Sequence, residues 1–271
     1  MKYYDQTRNC LIFIQEQATP EFWDKHWATD NFREIVTAGR DDRFILDTTG
    51  KYLNTGRILE GGCGTGAKVY ALHHHGYDVY GVDFAIQTVK MTTTSVPELQ
   101  ILPADVMHLP FRSATFDGYW SLGVIEHFYA GYEYIADEMK RVLKNEGILF
   151  LTFPSISPLR WLKAKVGLYP VWDESFGAES FYQFALDKDQ VIMEFKKRGF
   201  QILESRTYDG IKGFKDEITI IKPLFQRLYN YSGKSAVIHM ARQILGKFLE
   251  PLAGHMTLLV LKKREIVDGH E

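Results

Sequence analysis

Glu60-Gly61-Gly62-Cys63-Gly64-Thr65-Gly66 follows the apolar pair Ile58-Leu59 and runs directly into Ala67-Lys68-Val69-Tyr70-Ala71-Leu72. The order reads as strand, glycine turn, helix. Glycines at 62, 64 and 66 remove Cβ atoms where a backbone turns sharply and let a ligand approach, and the helix start behind them presents unpaired N–H groups. A nucleotide-like ligand is the first expectation.

Outward from this turn, the chain from residue 56 alternates strand and helix, which favours a parallel sheet built by right-handed crossovers. Strands are expected at 57–59, 79–82, 100–102, 116–122, 147–153, 200–206 and 256–262. Helices are expected near 66–75, 85–94, 126–144 and 187–198, each closing close to a turn residue such as Gly76, Asn145 or Gly199. The connections 154–186 and 209–255 exceed what such a sheet requires and are expected to form a substrate lid. The first holds Trp161, Tyr169, Trp172, Phe176, Phe181, Tyr182 and Phe184, a density that suits a lid over an apolar pocket or a satellite core equally. Residues 1–55 are expected to form an N-terminal helical cap. Within them Trp23 and Trp27 share one helix face, as a packed amphipathic helix or a cover for the cofactor would have it.

The 271 residues are 45% apolar and 14% aromatic, enough to bury a full core in one α/β domain carrying a cap. Lys and Arg number 32 against 34 Asp and Glu, so the broad basic footprint of a nucleic-acid binder is missing from the totals. Two cysteines, Cys10 and Cys63, make no disulfide framework or paired metal spacing, which suits a reducing cytosol. The N-terminus lacks a signal-peptide apolar region and no apolar run nears the roughly 20 residues that span a bilayer. A soluble, cytoplasmic protein is expected.

The glycines alone leave the cofactor open, because Gly62-x-Gly64-x-x-Ala67 with Asp83 21 residues on also satisfies the permissive dinucleotide fingerprint. A phosphate P-loop is set aside, since Ala67 stands where its lysine belongs. Glu60 discriminates better: a carboxylate beside the turn repels a pyrophosphate and attracts an ammonium group, which S-adenosylmethionine carries. Asp83, ending the strand Tyr77–Val82, can accept both hydroxyls of an adenosine ribose in either cofactor. Asp105, after Ile101-Leu102-Pro103-Ala104, can accept from an adenine amino group or cap a turn before Pro110.

Four segments occur in order: Leu59 to Gly66, Gly81-Val82-Asp83, Ala104 to Phe111, and Phe116 to Phe128. In them the chain resembles class I S-adenosylmethionine-dependent methyltransferases, and within these the small-molecule group that includes the ubiquinone and menaquinone biosynthesis enzymes. The resemblance covers roughly 56–206 with the last strand near 256–262. It implies a Rossmann-like three-layer α/β/α sandwich over 56–271, with a seven-stranded, mostly parallel sheet of order 3-2-1-4-5-7-6 whose last strand is antiparallel. It also implies that Glu60 and the Gly62-Cys63-Gly64 backbone hold the methionine portion, Asp83 the ribose, and Asp105, Val106 and Met107 the adenine, with Phe84 also at the cofactor. Ser121 and Leu122 would close over the methionine end.

A sulfonium brings its own leaving group, so the protein contributes mainly alignment and exclusion of water, and a catalytic base is optional. For a hydroxyl or acidic-carbon acceptor His127 is the best candidate base, with Glu126 orienting it or binding substrate. Gly123 replaces the first acid of the Glu-x-x-Glu-His pattern of metal-dependent relatives, so no metal is expected. His73-His74-His75 point about 100° apart on a helix and do not converge on one ion. Pro158 to Val166 mixes basic and apolar residues as interfacial helices do, and as a solvated helix face also does. The expected partner is a small, aromatic or lipophilic methyl acceptor. The competing expectations are an NAD-dependent oxidoreductase and a non-catalytic S-adenosylmethionine-binding protein.

Overall fold

The computed structural model describes residues 1–264; residues 265–271, the end of the expected 56–271 domain, lie outside the described residues. In chain order the elements begin with β1 (Lys2–Asp5), β2 (Cys10–Ile14), α1 (Pro20–Trp27), α2 (Phe32–Ala38) and α3 (Arg43–Tyr52). The alternating part follows as β3 (Arg57–Gly61), α4 (Ala67–His74), β4 (Asp78–Asp83), α5 (Ile86–Ser95), β5 (Gln100–Pro103), β6 (Phe116–Leu122), α6 (Glu133–Val142) and β7 (Leu143–Pro154). Then come α7 (Pro158–Lys165), β8 (Phe181–Ala185), α8 (Lys188–Lys197), β9 (Phe200–Tyr208), α9 (Gly210–Glu217), α10 (Lys222–Tyr229), α11 (Ala236–Ala253) and β10 (Met256–Lys263).

Seven strands form one sheet in the order β5-β4-β3-β6-β7-β10-β9. The pairs from β5 to β7 are parallel, whereas β10 runs antiparallel to both neighbours. Renumbered within this sheet, the order is the expected 3-2-1-4-5-7-6. Successive residues of the inner strands are buried on opposite faces, as strand alternation requires. Leu59, Tyr119, Leu149 and Leu259 enter one core with α6 and α8, and Ile58, Trp120, Phe150 and Val260 enter the other with α2 to α5.

Trp120 stacks on Phe150 at 4.4 Å and donates its indole N–H to Thr49 Oγ1 at 3.0 Å, all of it buried. Thr49→Val keeps the shape but strands that N–H, so it is expected to cost about 1–3 kcal/mol in urea unfolding. Thr49→Ser, which restores the acceptor, should recover most of the loss.

Two expectations need correction. The expected helix over 126–144 begins only at Glu133: residues 125–127 form a short 3-10 turn, and Gly131, at φ +113°, breaks the chain before α6. The N-terminal cap is not helical throughout, because residues 2–14 form a β-hairpin turned at Asn9 (φ +46°). Its β2 edge pairs antiparallel with β8, from the first long connection. Trp172, Phe181 and Phe184 pack there with Cys10 and Ile12, so the aromatics of 154–186 chiefly build a satellite core.

A buried ionic cluster joins these pieces. Arg160 of α7 donates to Glu217 Oε1 of α9 at 3.0 Å, to Ser155 O at 2.8 Å and to His255 Nδ1 at 2.7 Å. Lys2 of β1 and Lys163 of α7 donate to the same carboxylate at 2.6 and 2.8 Å, and the Tyr169 hydroxyl completes the set.

Candidate active site

The backbone leaves β3 through Gly62 (φ +75°), Gly64 (φ +49°) and Gly66 (φ +80°) before α4 begins, a left-handed succession that side chains resist. Gly62 and Cys63 donate their N–H groups to Val82 O at 2.8 and 3.0 Å, anchoring the turn on β4. Asp83 reinforces the anchor. Its Oδ2 accepts from Gly64 N at 2.7 Å and its Oδ1 from Ala85 N at 2.9 Å. Burial pushes this carboxyl above its ordinary value against the pull of those backbone donors. After β5, Asp105 accepts from Met107 N at 2.8 Å through Oδ1, while Oδ2 lies 3.9 Å from His108 Nδ1.

A cleft opens over these strand ends. Of the expected site residues, Gly62, Gly64, Asp83, Phe84, Asp105, Val106, Leu122 and His127 line it. Cys63, Met107, Glu60, Ser121 and Glu126 do not. Glu60 lies deeper: alternation along β3 turns its side chain toward α4, so it is buried beneath the turn with Oε2 unpartnered. Burial lifts its carboxyl to about 8 even though Lys68 pulls the other way.

The cleft also uses Trp23 and Trp27, which the sequence left as packed helix or cover, and Ala18, Ala104, Gly123, Val124 and Phe128, which it did not assign. No residue of α1 is buried, and the two indoles stack at 6.1 Å. A Cβ on Gly64 would lie 3.1 Å from the Trp27 ring, so α1 closes directly over the glycine turn. Asp24 pins the cover by accepting from Thr88 N at 2.7 Å and Thr88 Oγ1 at 2.9 Å at the start of α5. Among the described residues none of 154–186 or 209–255 lines this cleft, and α1 supplies its outer wall.

His127 sits in the 3-10 turn after β6, with Trp23 edge-on at 5.2 Å and Tyr182 at 5.0 Å. Its Nδ1 lies 2.8 Å from Tyr182 O, a pure acceptor, so Nδ1 carries the proton and Nε2 keeps its lone pair. Burial lowers the imidazole to about 4, which holds it neutral. Tyr182, not Glu126, therefore orients the ring. Glu126 is buried, its Oε2 unpartnered, and burial raises it to about 8.

Between pH 4.5 and 8 both carboxyls keep in the folded chain a proton that the unfolded chain loses. Each therefore subtracts stability as pH rises through that window, by up to about 1.4 kcal/mol per pH unit. Glu126→Gln is expected to flatten the urea-derived stability slope between pH 5 and 8 by about that amount. An unchanged slope would show that the carboxyl is ionised in the folded state.

Among the described residues, four buried side-chain oxygens without partners, on Glu60, Tyr119, Ser121 and Glu126, lie on β3, β6 or the turn after β6. Backbone freed of Cβ atoms and a buried carboxylate at adjacent strand ends suit a ligand with hydroxyl donors, as an adenosyl group has. His74 and His75 instead turn Nδ1 to the carbonyls of Tyr70 and Ala71, four residues back in the same helix.

Residues 59–151 match the family described as a methyltransferase domain. The chain is 32% identical to a malonyl-[acyl-carrier protein] O-methyltransferase of Herminiimonas arsenicoxydans over 36% of its own length and 37% of that protein. It is 26% identical to a demethylmenaquinone methyltransferase of Staphylococcus aureus over 57% of this chain and 71% of that one. Of solved structures, the [4+2]-cyclase SpnF superposes with a TM-score of 0.56 at 16% identity, over 93% of this chain and 98% of that chain. The aligned part spans between 35% and 39% of the length of several curated relatives. Residues 59–151 thus match a methyltransferase domain, and the motif order and strand order around them are those the resemblance to class I S-adenosylmethionine-dependent methyltransferases implies.

Proposed function

We propose that the chain transfers a methyl group from S-adenosylmethionine to a small aromatic or lipophilic acceptor. The observation that carries this reading is Asp83 pinned between Gly64 N–H and Ala85 N–H beneath a cleft walled by Trp23, Trp27, Phe84, Leu122 and Phe128. The cofactor supplies an electrophilic methyl group on a positively charged sulfur. Asp83 would accept from ribose hydroxyls, Asp105 Oδ2 from the adenine amino group, and the glycine-turn backbone would meet the methionine portion. Phe84 and Val106 offer apolar surface for the base. The α1 indoles exclude water and give a flat acceptor an aromatic wall. His127 Nε2 would receive the proton of a hydroxyl or acidic-carbon acceptor. The quinone methyltransferase relative supports an acceptor of this kind.

Titration calorimetry tests the reading. S-adenosylhomocysteine should bind the wild-type chain, and Asp83→Ala should weaken it by about tenfold or more, the worth of a lost hydrogen bond to a charged group. No binding, binding untouched by the substitution, or nicotinamide binding in its place would overturn it. Sustained S-adenosylhomocysteine release with an acceptor extract would separate turnover from binding alone.

A further inference from the structure

Helix α11 has its polarity inside out. Val237, Met240, Ile244, Phe248 and Leu252 recur every three or four residues and so share one face along five turns, and all five are exposed, Phe248 at 79%. The opposite face is held against α9. A Cβ on Gly210 would meet Gly246 O at 2.4 Å and one on Gly213 would meet Ala253 O at 1.7 Å, so the two backbones touch and α11 has no freedom to roll its apolar face inward. Arg242, on that inner side, donates to the carbonyls of Tyr229 and Tyr231 and staples α11 to the end of α10.

The surroundings continue the pattern. Ile220, in the 3-10 turn before α10, and Leu224, in the first turn of α10, are 93% and 69% exposed. On α7, which packs against α11, Trp161 and Leu162 are exposed and Lys165 lies over the Trp161 ring at 5.6 Å. Between residues 218 and 249 there are five basic residues and no acidic one, in a chain whose net charge is −2. Lys222, Arg227, Lys234 and Lys247 of that set are exposed.

We propose that α10 and α11 dock the protein in the plane of an anionic lipid bilayer, with the Ile244 and Phe248 side chains entering the acyl boundary and the lysines meeting headgroups. Apolar residues along one face with cations beside them is the composition of an interfacial helix, and the one acid of α11, Glu250, lies on the side turned to α9. No described helix is long and apolar enough to cross a membrane, so the contact is with the surface. A second copy of the chain fits less well, since joining two such faces would bring like charges together without a counter-charge. The proposal is independent of methyl transfer.

Flotation of the full chain with phosphatidylcholine vesicles, with and without phosphatidylglycerol, tests it. Binding is expected only with phosphatidylglycerol and should fall in high salt. Ile244→Glu combined with Phe248→Glu should weaken it at least about tenfold, with the thermal midpoint unchanged because neither side chain is buried. Lys222→Glu with Lys247→Glu should lower it as well. Absence of binding, binding unaffected by either pair, or a wild-type dimer that the Ile244→Glu, Phe248→Glu pair dissociates would overturn the proposal.

Discussion

His127→Ala is expected to lower kcat by about two orders of magnitude with a hydroxyl acceptor, while leaving S-adenosylhomocysteine affinity within a few-fold of wild type. Removal of a positioned general base costs typically about 10²–10⁴-fold. The lower end applies here because burial has already weakened the base: at about 4 the imidazole is unprotonated throughout the physiological range but holds a proton poorly. The same burial sets the pH profile. Activity on the acid side should fall only as pH drops toward 4, well below the fall expected of an ordinary histidine near 6.5. Tyr182 O fixes Nδ1 as the protonated nitrogen, so only Nε2 has a lone pair to offer. His127→Gln refills the volume without supplying a base and should be as slow as alanine. A glutamine variant at wild-type rate would reduce His127 to a wall of the cleft. An acid limb near 6.5 would instead show a solvated ring.

Much of this site could be read from local sequence, because its parts sit at strand ends and strands announce themselves. The seven strands followed from short apolar runs separated by turn residues, their order from the family resemblance, and Asp83 and Asp105 were placed by ending such runs. What failed had non-local causes. Charge alone did not show that the Glu60 side chain lies beneath the turn and off the cleft wall, where the two-residue period of β3 sends it with Ile58, opposite Leu59. The β1–β2 hairpin gains its burial from β8, some 170 residues away, and nothing within residues 2–14 names that partner. The 23/27 spacing revealed an aromatic helix face, but what the face covers depends on Asp24 meeting Thr88. Orientation of His127 depends on a main-chain carbonyl, and a carbonyl has no side-chain signature. The Glu217 cluster went unread for a similar reason: its members are spread over residues 2, 160, 163, 169, 217 and 255.

Glu217→Ala is expected to destabilise the chain by about 3–5 kcal/mol, the largest stability effect of any single change considered. The carboxylate has no exposed side-chain surface, and neither does its partner Arg160. Burial alone would raise this acid, but the charges of Lys2 and Arg160 with the Lys163 bond hold it down at about 2. Lys2 is itself pushed below its ordinary value, since desolvation outweighs what Glu217 returns. With the carboxylate gone, Arg160 keeps Ser155 O and His255 but remains a buried cation without a counter-charge. Because the folded acid sits below its unfolded value of 4.5, the contribution is complete above about pH 4.5 and disappears as pH falls toward 2. The gap between wild type and variant in urea titrations should therefore be constant from pH 5 to 8 and narrow in acid. Glu217→Gln, which keeps the acceptor and loses the charge, should fall between the two. Hydrogen exchange should show where the loss is spent: this cluster's side chains tie β1, α7 and α9 together, so their amides should open first while β3, β4 and β6 stay protected. A variant within about 1 kcal/mol of wild type would mean that water replaces the carboxylate, and that the hairpin is held by its β8 pairing and aromatic packing alone.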